Sequence, residues 1–166
     1  MSTTQFFVFA LSSLLIGCGA HPSDESLRST FVRYENSFNK LVRMANEDPH
    51  VTRIAPDFTV LDTDGTWPRN DIGFSQQRWD EYRILFRNLG LEKGVWTQAY
   101  PGIMLIATDR TKLKRHTLKG FVYASEPLQP VVESLDHQAL SVCPGMEACI
   151  VYKRLTVNWY IFYEVG

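Results

Sequence analysis

The chain contains four histidines, His21, His50, His116 and His137, and three cysteines, Cys18, Cys143 and Cys149. These are the side chains best suited to proton transfer, nucleophilic attack or metal ligation. Their spacing does not assemble them. No two histidines stand one helical turn apart, so the helical zinc pair is missing. So are the nucleophile elbow, the phosphate loop and the dinucleotide glycine fingerprint. His21 lies in a short tether, His50 just after a helix end, His116 in a charged run and His137 near a turn, all places where surface residues are common. No residue is assigned as catalytic or metal-binding, and no cofactor is implied. Catalytic triads assemble in space and not along the chain, so this reading concerns motifs only.

Two other features point to contacts instead of chemistry. Residues 110–119 read RTKLKRHTLK and gather Arg110, Lys112, Lys114, Arg115 and Lys119 around His116. Such a basic stretch suits anionic headgroups, lipopolysaccharide phosphates or an acidic protein. As a hairpin end it would equally keep a sheet edge from aggregating. Among the tryptophans, Trp79 and Trp159 fall on apolar faces and read as core. Trp67, before a proline, and Trp96, before a strand, are the candidates for an exposed contact such as stacking on wall sugars. Asp62-Thr63-Asp64-Gly65 has the opening of a calcium loop without its later ligands, and reads as a turn.

The strongest local signal is at the N-terminus. Residues 6–17 read FFVFALSSLLIG, an uncharged run of signal-core length and too short to span a bilayer. Leu15-Ile16-Gly17-Cys18 follows in order. This segment resembles the bacterial lipoprotein signal. That resemblance implies cleavage before Cys18 and a diacylglyceryl group on its sulfur. It also implies attachment to the membrane through more than one acyl chain. Gly19, in place of a retention aspartate, leans toward the outer membrane. Cleavage after Ala20 by an ordinary secretory peptidase, releasing a soluble periplasmic protein, is the competing reading. With Cys18 assigned to lipid and the chain exported, Cys143 and Cys149 are expected to form a disulfide across the Pro144-Gly145 turn. A metal pair would need further ligands that the spacing does not supply.

The elements that must position these residues follow from periodicity. Ser23 caps a helix whose first turn carries Asp24 and Glu25. Leu27, Phe31, Tyr34, Phe38, Leu41 and Ala45 make one stripe, expected to pack on the domain's own sheet. Asn46 and Pro49 end it. A second helix is predicted from Ser75, with Phe74 and Trp79 as a hydrophobic staple and Gly90 as its left-handed end. Strands are predicted near residues 57–61, 102–108, 118–125, 149–155 and 157–165, the last one central. The expected fold is α+β, with two helices packed on a mainly antiparallel sheet of four to five strands. The expected organisation is a signal peptide at 1–17, a lipidated cysteine and short tether at 18–22, and one globular domain at 23–166. Residues 19–22 would span at most about 14 Å.

Composition narrows the function. A net charge of −1 from 17 basic and 18 acidic residues gives no footprint for nucleic acid. A mature chain of about 150 residues can bury enough surface to fold without a metal. The expectation is an envelope-anchored, non-catalytic lipoprotein facing the periplasm. It would bind a protein or envelope partner as an immunity, inhibitor or assembly factor, held to the membrane by its lipid. The alternatives are a small periplasmic cell-wall hydrolase and a structural protein joining membrane to wall.

Overall fold

The computed structural model describes residues 20–61, 73–98, 102–112, 115–143 and 148–166, with the backbone alone at Lys112. Cys18, Trp67 and Lys114, and the side chain of Lys112, lie outside the described residues. The fold is α+β, with three helices and seven strands among the described residues. The helices are α1 (Asp24–Glu47), α2 (Gln76–Leu89) and α3 (Leu135–Val142). The strands are β1 (Val51–Ile54), β2 (Thr59–Leu61), β3 (Gly94–Trp96), β4 (Ile103–Lys112), β5 (Arg115–Tyr123), β6 (Cys149–Arg154) and β7 (Trp159–Val165). They form one antiparallel sheet in the order β2-β1-β3-β4-β5-β7-β6. Among the described residues, no helix is long and apolar enough to cross a membrane.

The sheet is larger than expected from sequence. The extra strands β1 and β3 have four and three residues, too short to show a period of two. They join the sheet through the longer strand β4, which pairs with β3 at Gly94↔Ile106. Gly94 has φ of 76°, and a Cβ there would collide with the Ile54 carbonyl, so the turn into β3 requires glycine. The last strand is flanked on both sides, by β5 and β6, as its two apolar faces suggested.

The helices cover one face. Phe31, Phe38, Leu41 and Ala45 of α1 and Trp79, Tyr82, Phe86 and Leu89 of α2 pack with Leu105, Phe121, Trp159 and Ile161 of the sheet. Phe38 stacks at 4.5 Å from Phe121, and the Trp159 indole donates to Asn39 Oδ1 at 3.1 Å. The α1 stripe therefore packs within the chain, with one break. Tyr34 has φ −123° and ψ 24° and is 37% exposed, because the helix kinks there. The second helix is punctuated as expected. Ser75 Oγ accepts from the Arg78 amide, Gly90 is left-handed, and the Leu91 amide returns to the Phe86 carbonyl at 2.9 Å. Arg78 ties its start to the end of α1 through Asp48 and Glu47, both at 2.8 Å. On the other face, Met104, Ile106, Leu118, Val122, Tyr160 and Phe162 form a second cluster, joined by Leu128 from the segment after β5.

Candidate functional site

One end of the sheet gathers most of the groups that could do chemistry. A bulge makes this possible. Successive strand residues point to opposite faces, but the β4–β5 register shifts between Ile106 and Thr108. Ala107 joins the helix-side core, and Thr108 pairs with Lys119 on that same face. Thr117, two residues from Lys119, shares it.

His21 enters this end from the chain start. Its Nδ1 lies 2.6 Å from Thr108 Oγ1 and its Nε2 lies 2.9 Å from Thr117 Oγ1. The ring meets Tyr163 edge-on at 5.4 Å. Burial, with Arg110 and Lys119 nearby, pushes its pKa down to about 4, against weaker opposition from Asp109 and Glu92. At neutral pH the ring is therefore uncharged, and one nitrogen donates while the other accepts. The sequence reading places His21 in a short tether. The structure seats it against the sheet, since a half-buried imidazole here satisfies two hydroxyls at once.

Beneath it lies an ion cluster. Lys119 is 2% exposed, and its Nζ lies 2.9 Å from Asp24 Oδ1 and 2.6 Å from Asp136 Oδ1. Lys153 Nζ adds a 3.3 Å contact to Asp24 Oδ2. The carboxylates also exchange caps. Asp136 Oδ2 accepts from the Asp24 amide at 2.8 Å, at the start of α1. Asp24 Oδ2 accepts from the Leu135 amide at 2.8 Å, at the start of α3. Each helix begins on the other's aspartate, where negative charge is favoured. Burial pushes the Asp24 carboxyl up, but the lysines and the Leu135 amide outweigh it and hold the pKa below the usual range. The two aspartates and two lysines balance in charge. Their geometry locks both helix starts onto β5, a structural task. A cavity of about 170 Å³ lies beside the cluster, lined by His21, Lys119, Asp136, His137, Leu140 and Tyr163.

The basic run is dispersed by strand alternation. Arg110 points toward Glu92, with bonds of 2.7 and 3.1 Å. Glu92 is thereby held below the usual carboxylate range, chiefly by its hydrogen bonds to Arg110. Lys119 is interior and forms no part of an exposed patch, a correction to the sequence reading. The hairpin end expected of the run is shorter than the run itself: β4 and β5 extend through it, and strand alternation turns Lys119 to the helix-covered face. His116, on the opposite face, sits 2.6 Å from Asp109. Lys112 and Arg115 are the last register pair of the hairpin.

Trp96 lies within β3, and its ring is covered by Arg53, whose guanidinium carbon is 4.7 Å from the Trp96 ring and 4.8 Å from Phe58. Trp96 belongs to β3 and Phe58 lies just before β2, the two strands that flank β1, so the guanidinium of Arg53 has a ring close to it from each. No open indole face at Trp96 is presented for stacking on that side. Cys143 and Cys149 are disulfide-bonded, with Cα atoms 5.7 Å apart, closing the chain between α3 and β6.

Sequence reasoning missed Asp24, Asp136 and Lys119 as one unit because they lie far apart in the chain. The available signal was a lysine in an otherwise apolar strand, Leu118 to Tyr123, which asks for a buried counter-charge. Among the described residues, no group of three His, Cys, Asp or Glu side chains is placed to hold a metal ion. Comparison of the chain with protein-family models, curated proteins and solved structures finds no match.

Proposed function

We propose that this chain is a bacterial envelope lipoprotein, acylated on Cys18. Its α+β domain binds a protein or envelope partner in the manner of an immunity, inhibitor or assembly factor. The observation that carries the reading is the seat of His21. His21, three residues after Cys18, is fixed to the sheet, so an acyl group on that cysteine would hold the domain close against the membrane. A protein that works where it is anchored has use for that arrangement. The fate of the titratable groups adds support. Lys119, Asp24 and Asp136 are engaged with one another and with helix ends, which favours binding over catalysis as the domain's role.

The test is crosslinking in the native host of the full chain tagged at its C-terminus, followed by recovery from detergent-solubilised envelopes. A single protein recovered in near-equal amount supports the binding role. Wall fragments or lipid alone, with no stoichiometric protein, contradict it and favour the hydrolytic or structural alternatives.

A further inference from the structure

We propose that the domain stands on the membrane surface on the β4–β5 hairpin end of its sheet. Anionic lipid headgroups would meet the Lys112–Arg115 end, and the interfacial layer would take Leu140 of α3. This rests on the reading that Cys18 is acylated.

Chain length sets the first constraint. Cys18 lies three residues before His21, a reach of at most about 11 Å. His21 is fixed to Thr117, which is two strand positions from Arg115, about 7 Å. The membrane must therefore lie near this end of the sheet. The opposite end of β5, at Tyr123, is eight positions from Arg115, about 27 Å away. The β6–β7 turn at residues 155–158 lies at that far end, since Tyr123 pairs with Trp159. No tether of three residues brings the far end down while His21 stays seated.

The surface chemistry of the near end is the second, independent observation. The last register pair of the hairpin is Lys112 with Arg115, two basic residues side by side. Leu140, on the helix that walls the His21 cavity, is 63% exposed. Val142 follows on the same helix and is also exposed. A basic hairpin end and exposed apolar residues on the helix that shares the His21 cavity, both near the proposed lipid attachment point, are what an anionic interface attracts. A protein partner seated here would have to compete with the bilayer for the same end.

The experiment uses the full acylated chain, purified and placed in vesicles of phosphatidylethanolamine and phosphatidylglycerol carrying a nitroxide headgroup quencher. A fluorophore is attached at Thr111→Cys or at Val157→Cys, both exposed. Strong quenching at 111 with little at 157 is the expected result. Leu140→Glu, a surface change, should reduce quenching at 111 while leaving the circular dichroism unchanged. Equal quenching at both positions, or stronger quenching at 157, overturns the orientation. The mass of the Cys18 peptide is read on the same samples. An unmodified Cys18 removes the anchored reading and the orientation with it. An acylated chain without a difference between the two positions removes the orientation alone.

Discussion

Lys119 is the residue on which the hairpin end of the domain depends. Its ammonium faces a carboxylate that is nearly as buried as itself, and removing one partner of such a pair strands the other. Lys119→Met is expected to lower stability by about 3 kcal/mol in urea denaturation, and adding Asp24→Asn should recover part of that loss. His21 gives a separate and directional test. Its folded pKa, about 4, lies below the ordinary 6.5, so between those values the unfolded chain binds more protons than the folded one. Stability from the seated ring is complete above pH 6.5 and is lost as pH falls toward 4. After allowance for screening at a half-buried site, the loss is about 1–2 kcal/mol. Wild type should lose stability across that window relative to His21→Asn, and the His21 ring signals in NMR should titrate near pH 4. A ring titrating near 6.5 would mean that His21 is not seated.

At the scale of elements, the helices whose starts and stops are written locally were the legible ones. Ser23, Ser75 and Gly90 act through neighbours three to five residues away, and each occupies the cap expected of it. Ser75→Ala should lower the midpoint of thermal unfolding through the loss of about 1 kcal/mol. Gly90→Ala should have a similar effect, because nothing crowds the position and only the left-handed backbone resists a side chain. The Cys143–Cys149 bridge closes a short loop, so replacing both with serine should reduce stability by about 2 kcal/mol, measured by the same unfolding experiment. The elements that escaped sequence reading are those made by long-range pairing. The third helix has eight residues and starts on Asp24, more than a hundred residues away in the chain. Strand β3 pairs on the edge of β4, and β1 in turn pairs on β3. The bulge at Ile106–Thr108, which turns Thr108 toward His21, has no glycine of its own to mark it.

At the scale of the molecule, two halves of one account meet at a single end. The segment Leu15-Ile16-Gly17-Cys18 resembles a lipobox, and His21, three residues on, is seated against the sheet. The hairpin end, the reciprocal caps of α1 and α3 and the seated histidine then lie together, while the β6–β7 turn and the exposed Val157 lie far from them. The candidate site was legible only in fragments. Periodicity located β4 to β7 and the basic run, but could not show that Lys119 turns inward or that Arg110 is matched by Glu92, since both depend on which face a shifted register presents. On the proposed reading the domain would meet its partner at the membrane surface, and its orientation there would follow from where the chain is cut.

The most direct measurement is therefore the mass of the mature N-terminal peptide from cells making the full chain, together with membrane fractionation of wild type and Cys18→Ser. The account predicts a peptide beginning at Cys18 and carrying a diacylglyceryl group. It predicts wild-type protein in the membrane fraction and loss of acylation in the variant. A mature chain that begins at His21, unmodified and recovered in the soluble fraction, would contradict it.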